Sequence, residues 1–253
     1  MNSYTQTISV EKYKQFLNCL YTVSNYIEDL DIKQGLIRQR TADKQICVEM
    51  NLSSIFKQDL CVADIKSKLE LMELLIDDGT DDITIQQADK VWFVYSKKTV
   101  FKFSWASASR LSTSFIEDDV FANFTKNTDQ GKFLFEIDLN ERCDLHKKMK
   151  KVCEKFNSDK IVVSIDDKAI AMTIESEDKR NTGVVYKTQN TTNLEKQCII
   201  ARSSFIEKID AKYLKKIVFY SYVADNPTMS LSKATCDVET LPMSLYAVCK
   251  HSK

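Results

Sequence analysis

Apolar residues return along this chain with two periods, and the two alternate. From Ser9 to Val23, Tyr13, Phe16, Leu17, Leu20 and Val23 recur every three or four positions, which is the spacing of one helix face. Ser9 supplies a hydroxyl for the N-cap. Glu28 to Lys33 and Leu36 to Arg40 then read as strands about a tight turn at Gln34-Gly35, with Gln45 to Asn51 as a third. Arg38 and Arg40 alternate with apolar neighbours and so share one face. Leu52 to Val62 is irregular. Helix returns from Ala63 to Ile76, capped by Asp64 or a neighbour, burying Ile65, Leu69, Met72 and Leu75 and stopped by Asp77-Asp78-Gly79. Strands are expected at Asp82 to Gln87, Val91 to Ser96 and Thr99 to Trp105, the last two as a hairpin about Lys97-Lys98.

The stretch from Ala106 to Gly131 changes character. It is hydroxylic, then acidic at Glu117-Asp118-Asp119, then rich in amides, which reads as an exposed connector. Phe115, Ile116, Val120 and Phe121 are more apolar than a linker needs; they either dock the connector on the body or meet a partner. From Lys132 the pattern restarts. A strand at Phe133 to Asp138 enters a helix with Leu145, Met149, Val152, Cys153 and Phe156 on one side, at about 100° per residue. Lys147, Lys148, Lys150, Lys151 and Lys155 take the other side. Lys160 to Ile165 and Ala169 to Ile174 follow as strands across Asp166-Asp167-Lys168. Further strands are expected at Thr182 to Thr188, Glu195 to Ala201, Lys215 to Val223, Ser230 to Cys236 and Ser244 to Lys250, with a short helix from Ser203 to Ile209.

The halves match. Tyr13, Leu17 and Leu20 correspond to Leu145, Met149 and Val152 at a shift of 132 residues, and Ile32 and Ile37 to Ile165 and Ile170 at 133. Each half runs helix, strands, second helix, closing strands. The chain carries an internal repeat of about half its length.

Charge alters this picture little overall and much locally. Lys+Arg and Asp+Glu both total 36, so the formal net charge is zero across 253 residues. A protein that held nucleic acid by bulk charge would be strongly basic. A lysine face is ordinarily a solvated one. Here only Asp144 and Glu154 interrupt five crowded lysines, and like charges at i,i+4, such as Lys147 and Lys151, weaken a helix by a few tenths of a kcal/mol. A phosphate backbone is the partner such a face suits.

Gly (4) and Pro (2) are scarce, and neither a Walker motif nor a dinucleotide fingerprint is present. Eight cysteines lie without a Cys-x-x-Cys pair, as reduced, mostly buried thiols of a cytosolic compartment would. His146 and His251 have no metal-spaced partner, and Asp77-Asp78, Asp81-Asp82 and Asp166-Asp167 sit in turns. The reading is therefore non-enzymatic, with no cofactor and no metal. The first residues are polar and read as no signal peptide, and no apolar run nears the ~18 residues of a membrane span.

A duplicated unit of helix, strands, helix and strands with a cationic helix resembles the DNA sliding clamps, the processivity rings of tailed bacteriophages and of proliferating cell nuclear antigen. Stretches such as Phe156-Asn157-Ser158-Asp159-Lys160-Ile161 and Ile174-Glu175-Ser176-Glu177-Asp178 contribute to the resemblance, which covers nearly the whole chain. It implies an α+β clamp fold with an N-terminal domain (1–105), a connector (106–131) and a C-terminal domain (132–253). It also implies a homotrimeric ring, helices inside and sheets outside, around duplex DNA that is not read for sequence. The DNA polymerase would be tethered, a clamp loader involved, and the location cytoplasmic, in the host if the source is viral.

Carried over by position, the DNA-facing wall takes Lys147, Lys148, Lys150, Lys151 and Lys155, with Lys12, Lys14, Lys66, Lys68 and Lys208 as weaker members. The first-domain helices are less cationic than the family pattern. The subunit interface takes Val100, Phe101 and Phe103 of one edge strand and Val184, Val185 and Tyr186 of the other. A client-peptide pocket takes Phe115, Ile116, Val120, Phe121, Leu241, Pro242 and Tyr246. The alternatives are a monomeric viral processivity factor that grips DNA through a basic face, which should be more basic than this chain, and a protein-interaction adaptor on the same scaffold.

Overall fold

The computed structural model describes residues 4–88, 90–122, 125, 133–138, 151–155, 158, 160–165, 169–174, 184–189, 197–202, 214–220, 229–236 and 241–252. The chain forms two units, Met1–Asp118 with Cys236–Ser244, and Asp119–Thr235 with Leu245–Lys253. The sequence division at 105 and 132 left the connector as a piece of its own; residues up to Asp118 cluster with the first unit instead.

In the first unit, β1 (Tyr4–Ser9) runs into α1 (Val10–Ser24), where the Ser9 hydroxyl accepts the Lys12 N–H at 3.4 Å. The expected stripe is the buried one: Tyr13, Phe16, Leu17, Leu20 and Val23, joined by Cys19 and Thr22. Next come β2 (Leu30–Lys33), β3 (Leu36–Arg40), β4 (Ile46–Asn51) and β5 (Leu60–Val62). The three residues of β5 lie in the stretch that read as irregular, because so short a strand shows no period. Asp64, left-handed at φ 47°, caps α2 (Ile65–Glu73), and a 3-10 turn, Leu74–Asp78, completes the helix expected to Ile76. The unit closes with β6 (Asp82–Ala88), β7 (Val91–Tyr95) and β8 (Val100–Ser104).

Its core is built on rings. Tyr13, Phe16, Phe56, Trp92 and Phe103 follow one another at centroid separations of 6.2, 5.8, 5.8 and 4.8 Å. Such pairs add ~0.5–1.5 kcal/mol each beyond their buried area. The Tyr13 hydroxyl donates to the Met72 carbonyl at 2.9 Å, which ties α1 to α2.

The second unit holds β9 (Phe133–Asp138), a helical turn at 151–155, β10 (Lys160–Ile165), β11 (Ala169–Ile174), β12 (Val184–Gln189), β13 (Gln197–Arg202), β14 (Leu214–Tyr220), β15 (Met229–Cys236) and β16 (Met243–Ser252). Strand β16 starts in the first unit, beside β4, where the Asn51 N–H donates to the Pro242 carbonyl at 3.0 Å. The rest of the cationic helix and the short helix at 203–209 lie outside the described residues.

The repeat read from the sequence is a repeat of topology. The first unit pairs its strands in the orders β1-β6-β7-β8 and β4-β3-β2-β5; the second pairs β9-β14-β15-β16 and β12-β11-β10-β13. Ile32 faces Ile37 across the β2–β3 hairpin, and their counterparts Ile165 and Ile170 face each other across β10–β11.

After β8 the chain is drawn back over β2 and β3. Gln39, fully buried, accepts the Asp31 N–H at 2.9 Å and donates to the carbonyls of Asp29 and Thr113 at 2.9 and 3.1 Å. Two buried carboxylates do the rest: Asp29 accepts the Ser112 N–H at 2.7 Å, and Asp31 accepts the Phe115 N–H at 3.0 Å. The Ile116 N–H then donates to the Arg38 carbonyl at 2.7 Å. Burial alone would raise the Asp29 carboxyl, but the N–H groups of Asp64 and Ser112, the Ser112 hydroxyl and the Lys68 ammonium outweigh it and hold it below its ordinary value.

Two measurements check this framework. Gly35 sits at φ +81°, and a Cβ there would lie 2.6 Å from Ser53 Cα and closer still to the Phe56 carbonyl, whereas Gly79, at φ +64°, has open space. Urea unfolding should show Gly79→Ala losing ~1–2 kcal/mol, the cost of a left-handed alanine, and Gly35→Ala losing clearly more. Asp29→Asn turns one acceptor into a donor facing an N–H, so it should cost about 1–3 kcal/mol at neutral pH. Because the Asp29 pKa is depressed by folding, its contribution is present above the ordinary carboxyl value of ~4 and is lost as pH falls through the folded-state pKa. The acid limb of stability should therefore flatten in Asp29→Asn; an unchanged limb would overturn this role for Asp29.

Candidate functional site

Three surfaces receive the residues singled out from the sequence. The first is the helix face. Lys66 is exposed, and Lys12 and Lys14 are half-buried, with the Lys14 ammonium 2.9 Å from Glu11. Lys68 folds back onto the carbonyls of Ala63 and Asp64. Glu11, Glu70, Glu73 and Asp77 are interspersed among these lysines, and Leu71 and Leu74 are exposed beside them. The helix face of the first unit is thus mixed in charge. In the second unit Lys151 and Lys155 are exposed on the helical turn whose Cys153 is buried, the two-sidedness expected of that helix. Lys147, Lys148, Lys150 and Lys208 lie outside the described residues.

The second surface is a pair of strand edges. Strand β8 ends the order β1-β6-β7-β8, and β12 ends the order that runs through β11 and β10. On β8, Val100 is 63% exposed, Phe101 is half-buried, and Phe103 turns inward onto Trp92. Val184, Val185 and Tyr186 pair through their backbones with Ile174, Thr173 and Met172 of β11.

The third surface is a groove of about 380 Å³ in the first unit, lined by Leu36, Arg38, Glu49, Asn51, Pro242 and Ser244. Arg38 and Glu49 are direct cross-strand partners on β3 and β4. The Arg38 Nε and a terminal nitrogen reach one Glu49 oxygen at 3.0 and 2.9 Å, and its other terminal nitrogen pairs with Asp118 of the segment that follows β8. The same guanidinium lies 6.0 Å from the centre of the Phe115 ring. Burial would lower the Arg38 pKa, but its bonds to Asp118 and Glu49 raise it, so the side chain stays cationic.

Of the residues read as a client pocket, Pro242 lines this groove, and Phe115 lies half-buried under Arg38. Ile116 and Leu241 are buried in the first unit. Phe121 and Tyr246 are buried in the second, where their rings meet edge to face at 5.7 Å. Val120 is exposed. These residues divide between the two units, and four of them are packed rather than open. The sequence did place Arg38 on a strand face, but its groove partners Glu49 and Asn51 carry no local signal. Only the β3–β4 register brings them together.

No family model matches the sequence, and no curated protein matches it significantly. Solved structures do match it in fold. The PCNA2-PCNA3 complex from Sulfolobus tokodaii aligns at a TM-score of 0.61 with 10% identity, covering 97% of this chain and 99% of that one. Proliferating cellular nuclear antigen from Entamoeba histolytica aligns at 0.61 with 9% identity, over 99% of this chain and 100% of that one. The DNA polymerase III subunit beta DnaN sliding clamp from Bartonella birtlesii aligns at 0.64 with 12% identity, over 98% of this chain and 67% of that one. With the helices α1 and α2 in the first unit and antiparallel sheets whose strand order repeats in the second, this chain has the α+β fold of the sliding clamps.

Proposed function

We propose that the protein is a sliding clamp: a non-enzymatic ring of three copies that surrounds duplex DNA, is placed there by a loader, and tethers the replicative DNA polymerase. The observation that carries this reading is the sliding-clamp fold over nearly the whole chain, with the topology of the first half repeated in the second.

Ring assembly draws support from the repeat itself. By topology β4 corresponds to β12, and β16 corresponds to β8. Among the described residues β8 ends the order β1-β6-β7-β8 and β12 ends the order that runs through β11 and β10, so both strands are left as edges. A second copy can supply the missing pairing, and a heterologous interface of this kind closes into a ring when the rotation per copy permits. Unpaired edges are otherwise a hazard for aggregation.

The charge distribution suits the same task. A closed ring is kept on DNA by topology, so it needs little binding energy, and a strongly basic wall would slow its sliding. A few lysines such as Lys151 and Lys155 on a neutral protein give a shallow, sequence-independent attraction to phosphates.

Light scattering behind size exclusion should give a mass near three times 29.1 kDa at physiological salt. Val185→Pro, on the β12 edge, should shift that mass to one copy; a trimer that persists would remove β12 from the interface. Lys151→Glu with Lys155→Glu should leave the mass unchanged and shorten retention on circular duplex DNA. The slope of log affinity against log salt should become shallower by ~0.9 for each phosphate no longer neutralised. Retention equal to the parent protein would take those lysines off the DNA path.

A further inference from the structure

The segment 106–118, which follows β8, is fastened to the first unit without an apolar seam. Of these described residues Ile116 alone is buried, and Leu111 and Phe115 are half-buried. So little apolar burial holds a segment of this length weakly against its conformational entropy. Polar groups at β2 and β3 hold it instead. The β2–β3 pairing ends at Ile32–Ile37, and past that point Gln39 is bridged by Phe115. There Asp29 and Asp31 accept the N–H groups of Ser112 and Phe115 at 2.7 and 3.0 Å. The Gln39 amide donates to the Thr113 carbonyl and hydroxyl at 3.1 and 3.0 Å.

These three anchors fall within residues 112–115 and share one stretch of backbone. Displacing one therefore carries the others off their short, directional bonds. The carboxylates keep partners from the body when the segment leaves. Asp29 accepts the Asp64 N–H at 2.9 Å and faces the Lys68 ammonium of α2. Asp31 faces the Cys61 thiol of β5 at 3.6 Å and the Lys33 ammonium at 3.5 Å, which Asp59 shares at 3.6 Å. Release thus leaves neither charge bare, which removes the largest penalty against opening. At its far end the segment covers Arg38. The Ile116 N–H donates to the Arg38 carbonyl, Phe115 lies against the guanidinium, and Asp118 pairs with it, leaving the side chain 12% exposed.

We propose that the segment 106–118 is a releasable strap, latched by Asp29 and Asp31, that leaves as one unit while the rest of the first unit stays folded and so uncovers Arg38. Such local opening draws on the parts of a fold with the fewest buried apolar contacts. The latch is closed at neutral pH. Burial would raise the Asp29 carboxyl, but the N–H groups of Asp64 and Ser112 and the Lys68 ammonium hold it below its ordinary value. Its share of the latch is present above about pH 4 and is lost as pH falls through that lowered value. The strap concerns the first unit alone and is independent of the clamp reading.

The test is amide hydrogen exchange of the full chain, resolved by residue, with Leu17 and Leu20 of α1 as the reference. Asp29→Asn should lower protection about tenfold at Phe115 and Ile116, which Asp29 does not touch, as well as at Ser112. Asp31→Asn should do the same at Ser112, and Leu17 and Leu20 should keep their protection in both variants. A loss confined to the amide that the altered side chain touches would overturn the proposal. If either variant lowers Leu17 and Leu20 equally, acidification of the unaltered chain decides. Ser112, Phe115 and Ile116 should then lose protection together and before α1, after allowance for intrinsic exchange; loss in step with α1 would overturn the strap. Phenylglyoxal should modify Arg38 faster once the strap amides are released, and an unchanged rate would overturn the coupling to Arg38.

Discussion

The path of the chain after β8 is set by two buried carboxylates and one buried amide. Asp29, Asp31 and Gln39 lie inside the first unit, where an unsatisfied polar group costs a few kcal/mol. Backbone groups of the segment that follows β8 satisfy them: the N–H groups of Ser112 and Phe115 and the carbonyl of Thr113. The segment therefore has to cross β2 and β3. That crossing seats Phe115 beneath Arg38, buries Ile116, and brings Asp118 to the guanidinium. The groove, its charge and the extent of the first unit all follow from this one requirement for hydrogen-bond partners.

A second constraint is duplication. Two copies of one topology in a single chain present corresponding strands, and among the described residues β8 and β12 each pair on one side only. The aromatic column from Tyr13 to Phe103 keeps β8 in place, since Phe103 is held on Trp92 while Val100 faces out.

Charge is handled differently in the two units. On the first unit's helices Lys12, Lys14, Lys66 and Lys68 are mixed with carboxylates, and Lys14 and Lys68 are already engaged with neighbouring oxygens. Lys151 and Lys155 on the second are exposed.

The sequence by itself determined the kind of nearly every described element and the repeat. Helical and strand periods are local properties, and the apolar stripe of α1 and the facing isoleucines of both hairpins could be read from spacing alone. Resemblance in element order was enough to indicate the clamp fold. What tertiary structure alone decided was which apolar and polar residues are open to a partner. Phe121, Leu241 and Tyr246 look like pocket residues in a connector and a tail, yet long-range packing buries them. Asp29, Asp31 and Gln39 look like surface polar residues, yet the fold places them inside because distant N–H groups are there to meet them. The groove belongs to the same class: Arg38, Glu49 and Pro242 are brought to one place by strand register and by the return of the chain, neither of which any local window of sequence contains.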